Sequence, residues 1–223
     1  MFAGLTGVLG RAQIEEVFAL LSKAEFQDGK QTAGYRASRV KSNLQLRKGT
    51  QEAARLSDII STGLTDNTAF RQLTFPKAIN TPLFARYLPG MEYGYHVDNA
   101  VMNQPHSMRT DISCTVFLNN PDDYEGGELS VITPYGQQQA KLQAGDAIVY
   151  NANLVHRVQP VTKGERLVAV TWIQSFIKDP DKREVLIDLR QMQNALHKHA
   201  PDDATTDLAY KTYQNLYRMW ADV

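Results

Sequence analysis

A single cysteine, Cys114, stands in a chain of 223 residues. No internal disulfide can staple such a fold, and the usage suits a reducing compartment. An excess of charge of one sign is also missing: 24 Lys and Arg face 24 Asp and Glu, for a formal net charge of zero. A protein dedicated to nucleic acid or to an anionic membrane normally shows a basic surplus or cluster, so neither partner is expected. No apolar run approaches the roughly 18 to 20 residues that a membrane span needs. The opening, MFAGLTGVLGRAQ, has no basic stretch ahead of its apolar residues and turns polar early, which speaks against a secretory signal. A cytoplasmic protein is the resulting expectation. There is no internal repeat, no low-complexity tract and no Pro-, Gly- or Ser-rich linker to divide the chain. What is present is ordinary globular composition, 43% hydrophobic, enough for one sizeable core.

Three zones differ in periodicity. From Gly10 to about Leu64 the chain reads mostly helical, with Ile14, Val17, Phe18 and Leu21 on one face and a second helix from Thr50 to Thr65 carrying Leu56, Ile59, Ile60 and Leu64. From about Leu73 to Ile177 short β-branched or aromatic runs alternate with turn signals. The runs include 83–88, Ile112 to Leu118, Glu128 to Ile132, Ala147 to Tyr150 and Arg166 to Ile173; the turns include Pro89-Gly90, Glu125-Gly126-Gly127 and Gly145-Asp146. Many short strands at regular spacing predict a β-sandwich or jelly roll. After Asp179 helical spacing returns, first around Val185, Leu186, Leu189, Met192 and Leu196, then from Asp207 to Trp220. The boundaries are thus a helical flank at 1–72, a β core at 73–178 and a helical segment at 179–223. Tyr210, Tyr213, Tyr217 and Trp220 recur at helical spacing, suited to packing on the core or on a second copy of the chain.

The string Tyr95-His96-Val97-Asp98-Asn99 carries the first chemical signal. In extended chain, residues i and i+2 project from one face, so His96 and Asp98 can converge on one point. His197 and His199 share that spacing in helical sequence, where the two side chains diverge and face water. A third donor follows a polar loop: Asn151-Ala152-Asn153-Leu154-Val155 leads into His156 at the head of an apolar strand. His156 reads either as a half-buried packing residue or as the member that completes two histidines and one carboxylate, the facial arrangement that leaves positions open on non-haem Fe(II). Arg166 opens an alternating strand in which Leu167, Ala169 and Thr171 take the opposite face. A buried arginine needs an anion, and its planar fork suits a carboxylate held bidentately. At a strand edge it would be a surface residue instead.

Taken in order, His96-x-Asp98, Glu125-Gly126-Gly127-Glu128-Leu129, Gly145-Asp146, His156-Arg157-Val158 with Pro160-Val161, and Gly164-Glu165-Arg166 resemble the prolyl-4-hydroxylase-like Fe(II)/2-oxoglutarate dioxygenases. The bacterial PKHD-type hydroxylase branch is the best match, through Arg86-Tyr87-Leu88-Pro89-Gly90 and Trp172-Ile173-Gln174-Ser175. The resemblance implies a mixed α and β protein: a double-stranded β-helix (jelly roll) core flanked by N- and C-terminal helices. It implies His96, Asp98 and His156 as ligands of Fe(2+), and Arg166 as the anchor of the distal carboxylate of the cosubstrate 2-oxoglutarate. Tyr87 would line the barrel or bond the cosubstrate. Relatives place a tyrosine where this chain has Phe117, so Ser113 and Thr115, on the same strand face, are candidate substitutes. The implied reaction consumes O2, releases succinate and CO2 and hydroxylates a C–H bond of a small-molecule or peptide substrate, with L-ascorbate as reductant. A non-catalytic iron or 2-oxoglutarate sensor and a cupin-type metal enzyme are the alternatives. Glu125 and Glu128 read as solvated turn residues, Cys114 as a small strand residue, and 103–107 with His106 as a lid over the site. The helical flanks could join two copies into a homo-oligomer.

Overall fold

The computed structural model describes residues 1–32, 37–103 and 107–223. The chain begins β1 (Phe2–Leu5), α1 (Arg11–Leu21), β2 (Phe26–Asp28), β3 (Lys41–Ser42), β4 (Leu44–Leu46), α2 (Gln51–Asp66) and α3 (Thr68–Thr74). The central strands are β5 (Pro76–Ile79), β6 (Leu83–Tyr87), β7 (Glu92–His96), β8 (Val101–Met102), β9 (Met108–Arg109), β10 (Ile112–Phe117), β11 (Tyr124–Gly126), β12 (Leu129–Thr133) and β13 (Gly136–Ala140). Then come β14 (Ala147–Asn151), β15 (His156–Val158), β16 (Val161–Gly164), β17 (Arg166–Ser175), α4 (Pro180–His199) and α5 (Ala204–Trp220).

Among the described residues, an eight-stranded sheet runs β1-β14-β10-β17-β6-β4-β2 with β5 beside β17, and faces a five-stranded sheet in the order β13-β12-β15-β7-β3. The pairs are antiparallel throughout, and the non-consecutive order is that of a jelly roll. Strand alternation decides which side chains meet. In β10, Ile112, Cys114 and Val116 join a core formed with Val17, Leu21, Leu56, Ile60 and Leu64 of α1 and α2, while Phe117 belongs to the core between the sheets. In β17, Leu167, Ala169 and Ile173 face the helices, and Arg166, Val170 and Trp172 line a cavity between the sheets.

Helices α1, α2, α4 and α5 form where the pattern predicts them, with identifiable ends, and α3 (Thr68–Thr74) is added to them. Thr50 caps α2 by accepting the Ala53 N–H at 3.1 Å. Asp179 caps α4, whose first residue is Pro180. Gly63 lets α2 lie against the chain at Val8: a Cβ there would fall 2.5 Å from the Val8 carbonyl oxygen. At the other end, α4 and α5 pack on each other through Leu186 and Tyr213 over Phe75 and Ile177, with Tyr217 and Trp220 alongside, whereas Tyr210 is 61% exposed.

The zone at 10–64 departs from its helical reading. Between α1 and α2 the chain supplies β2, β3 and β4, and the last two cross from one sheet to the other: Lys41 pairs with Tyr93 of β7, and Gln45 with Ala85 of β6. The apolar period misses this stretch because its inward residues, Lys41, Asn43 and Gln45, are polar.

Candidate metal centre and its cavity

His96 closes β7 and His156 opens β15, and the two stand opposite each other in the antiparallel ladder. Their ring centroids are 4.2 Å apart. Asp98 follows His96 by two residues, and its Oδ1 lies 3.7 Å from His156 Nε2. One ligating atom from each of His96, Asp98 and His156 can be chosen so that all lie within 4.8 Å of one another, close enough for one ion to reach the three.

The backbone fixes which atoms face that point. His96 Nδ1 sits 2.8 Å from the Gly94 carbonyl oxygen and His156 Nδ1 3.0 Å from that of Leu154. Each Nδ1–H therefore donates to a carbonyl, and each Nε2 keeps its lone pair for an ion. Burial, with the neighbouring His156 acting in the same direction, lowers the His96 pKa to about 4, so the imidazole is a neutral donor at physiological pH. Tyr93 stacks on His96 at 3.6 Å, and Tyr150 meets His156 edge-on at 5.1 Å. Ser113 donates its hydroxyl to Asp98 Oδ2, which steadies the carboxylate and leaves Oδ1 toward the histidines. Two imidazoles and one carboxylate form the donor set suited to a divalent ion with open positions.

Arg166 lies in the same cavity, paired in register with Tyr87. It is 1% exposed, and none of its three guanidinium nitrogens has a hydrogen-bond partner among the described residues. Its surroundings are aromatic: the guanidinium carbon is 5.1 Å from the Tyr87 ring centroid and 5.7 Å from that of Phe117. The Tyr124 hydroxyl, also buried, lies close enough to the guanidinium for both its charge and its hydrogen-bonding nitrogens to act on the phenol. Burial raises the Tyr124 pKa and Arg166 opposes that rise. Gly127, at φ +69°, makes room for both, since a Cβ there would fall 3.0 Å from Arg166 Cδ and 3.1 Å from Tyr124 Cε2. An unpaired buried guanidinium is costly, and a carboxylate would satisfy it.

The cavity measures about 100 Å³, on the scale of the roughly 150 Å³ engineered cavities that take up a benzene. A wider groove of about 950 Å³ adjoins it and shares Leu83, Asn99, Met102 and Trp172. Of the sequence candidates, His96, Asp98, His156, Arg166, Tyr87 and Thr115 line the cavity together. Ser113 is fully buried behind Asp98 and is not on the lining. Glu125 is exposed and pairs with Lys163 at 3.2 Å, and His197 and His199 are exposed on α4. The lid read at 103–107 falls on residues 104–106, His106 included, which lie outside the described residues. Sequence reasoning missed Lys41, Asn43 and Gln45, which also line the cavity; their i, i+2, i+4 spacing was the available signal.

Residues 82–174 match the family model described as the 2OG-Fe(II) oxygenase superfamily. A PKHD-type hydroxylase of Picosynechococcus sp. is 45% identical over 222 residues, covering 100% of both chains. Another, of Saccharophagus degradans, is 40% identical and covers 99% of both. Among solved structures, a Pseudomonas putida prolyl-4-hydroxylase aligns with a TM-score of 0.53 at 20% identity, over 78% of this chain and 92% of its own. A viral collagen prolyl hydroxylase from Paramecium bursaria Chlorella virus-1, in a 2OG complex, aligns at 0.55 and 19% identity, over 78% and 96%. At those identities the structures bear on the fold, and the jelly roll is the fold they share with this chain.

Proposed function

Since the chain belongs to the 2OG-Fe(II) oxygenase superfamily, among the PKHD-type hydroxylases, we propose that His96, Asp98 and His156 hold its Fe(II) and that Arg166 holds the distal carboxylate of 2-oxoglutarate. The protein is a 2-oxoglutarate-dependent dioxygenase. The observation that carries the residue assignment is the pairing, in one cavity, of a two-histidine, one-carboxylate cluster with a buried arginine whose guanidinium meets no hydrogen-bond partner among the described residues.

Iron and cosubstrate, when bound, supply the oxidative chemistry: O2 is consumed, 2-oxoglutarate becomes succinate and CO2, and a substrate C–H is hydroxylated. The chain's own part is positional. His96 and His156 present Nε2 because Nδ1 is committed to the backbone. Ser113 restrains Asp98 so that one carboxylate oxygen serves the ion. Arg166 binds the far carboxylate through its fork, and the Tyr87, Phe117 and Tyr124 rings keep water from competing for it. The substrate, a small molecule or peptide, reaches this cavity through the adjoining groove. Ascorbate is the proposed reductant, and the cytoplasm the proposed location, in keeping with the single, buried Cys114 thiol. No helix among the described residues is long and apolar enough to cross a membrane.

Anaerobic titration of metal-free protein with Fe(II) and 2-oxoglutarate tests the assignment. A weak visible charge-transfer band is expected in wild type, lost in His156→Ala and weakened in Arg166→Ala. Iron binding without any band would mean that 2-oxoglutarate does not chelate at this site and would favour a cupin-type metal enzyme. Succinate release on turnover separates an oxygenase from a protein that only senses the same ligands. Because a His/His/Asp site prefers later divalent metals to Fe(II), protein as purified is expected to need stripping before it is assayed.

A further inference from the structure

The three members of the metal cluster are not held equally. His96 and His156 lie on paired strands, and each commits its Nδ1 to a backbone carbonyl. Asp98 lies beyond the end of β7, where no ladder pairing fixes its backbone, so its carboxylate depends on side chains for its orientation. Ser113 supplies one contact, to Oδ2. Behind Ser113 stands Tyr150, directly opposite it in the β10–β14 ladder, so the two side chains leave the same face of the sheet and meet. Both are buried, at 0% and 2% exposed, and the Tyr150 hydroxyl reaches the Ser113 hydroxyl. The Tyr150 ring also meets that of His156 edge-on at 5.1 Å.

Counting protons gives this run a direction. A carboxylate that serves a metal is deprotonated and can only accept, so the single proton of Ser113 goes to Asp98 Oδ2. Ser113 Oγ then has only lone pairs left to offer, and the phenol must donate its own proton to it. A serine hydroxyl without such a donor can rotate back to a nearby backbone carbonyl instead; the phenol fixes it toward Asp98, and each bond in the chain polarises the next. We propose that Tyr150 is a positioning residue of the metal centre: by donating to Ser113 it keeps Asp98 Oδ2 occupied, so that Asp98 serves the ion through Oδ1 alone. A carboxylate released at Oδ2 could offer both oxygens and fill a position that the facial arrangement leaves open. The proposal rests on the assignment of His96, Asp98 and His156 as ligands given above.

Calorimetric titration of metal-free protein with Ni(II) compares wild type with Tyr150→Phe, Ser113→Ala and the double variant. Phenylalanine keeps the ring and its contact with His156 and removes the hydroxyl alone. Each single variant should bind Ni(II) roughly 10- to 100-fold more weakly. The double variant should bind no more weakly than Ser113→Ala, because Tyr150 acts through Ser113. The Co(II)-loaded proteins give a readout that a packing role would not move. Their visible ligand-field bands follow the number of oxygens that Asp98 contributes, so Tyr150→Phe and Ser113→Ala should match each other and differ from wild type. Losses that multiply in the double variant overturn the proposal, as does a Tyr150→Phe protein with the Ni(II) affinity and Co(II) spectrum of wild type. A lowered melting temperature with metal affinity unchanged overturns it in favour of a structural hydroxyl. Wild type that takes up no Ni(II) would overturn the ligand assignment itself, and the proposal with it.

Discussion

Among the described residues, two arginines are almost completely buried, and they are used in opposite ways. Arg183, on α4, is 2% exposed, and its Nη1 donates to the Ile177 and Lys178 carbonyls at 2.7 and 3.0 Å while Nη2 donates to Asn151 Oδ1 at 2.9 Å. Burial lowers its pKa, against the pull of Asp111, Asp179 and Glu184. Arg166 is 1% exposed, and among the described residues no nitrogen of its guanidinium meets a partner in hydrogen-bond geometry. The first ties the C-terminal helices to the β core. The second is held in readiness among aromatic rings. Burial alone therefore says little about an arginine's role; the difference lies in whether the protein itself satisfies the charge.

The comparison breaks most sharply at Arg166. Replacing it with Met should weaken 2-oxoglutarate binding by about 2–5 kcal/mol, a loss of 30-fold or more by titration calorimetry. The ligand-free protein should melt no lower than wild type, because an unpaired buried charge has been removed. A large fall in melting temperature with affinity unchanged would show that Arg166 is structural after all. Arg183→Met should do the reverse. Its loss leaves two carbonyls and an amide oxygen without a donor, for about 2–4 kcal/mol of stability, or roughly 4–16 °C in melting temperature for a domain of this size. The 2-oxoglutarate affinity of the folded fraction should be unaffected, and a change there would couple α4 to the cavity.

How much of this could be read beforehand follows the same division. Strand alternation puts His96 and Asp98 on one face, whereas His156 and Arg166 join them only through the family that the ordered motif strings resemble. The β core, α1, α2 and the two C-terminal helices were legible because their inward residues are apolar. The segment at 41–46 was not, because it faces a polar cavity and its alternation is inverted: Lys41, Asn43 and Gln45 point inward and Ser42 is exposed. Ser113 was legible as sharing a strand face with Thr115 and Phe117 but not as the partner of Asp98, a contact between β10 and the chain beyond β7 that no local pattern encodes. The missing partner of Arg166 is likewise a three-dimensional fact.

Smaller effects sharpen the contrast at the Arg166 end. Gly127→Ala combines an unfavourable φ of +69° with a Cβ placed 3.0 Å from both Arg166 Cδ and Val161 Cγ2. It should cost about 1–3 kcal/mol of stability and move the guanidinium enough to raise the 2-oxoglutarate KM. A KM change without any change in melting temperature would mean that the backbone relaxes and passes the displacement to the arginine.

The finest test is Tyr124→Phe. Among the described residues the hydroxyl meets no donor or acceptor in good hydrogen-bond geometry, its one polar neighbour being Arg166, so its removal should leave the melting temperature nearly where it is. If the phenol turns to a carboxylate that Arg166 has bound, it contributes one hydrogen bond of about 0.5–1.5 kcal/mol, and the variant should bind 2-oxoglutarate about 2- to 12-fold more weakly. Unchanged affinity would leave Arg166 as the sole polar contact at this end and Tyr124 as part of its aromatic housing. A loss of stability without ligand would mean that the hydroxyl is already bonded to water, and that the arginine beside it is better satisfied than the contrast with Arg183 implies.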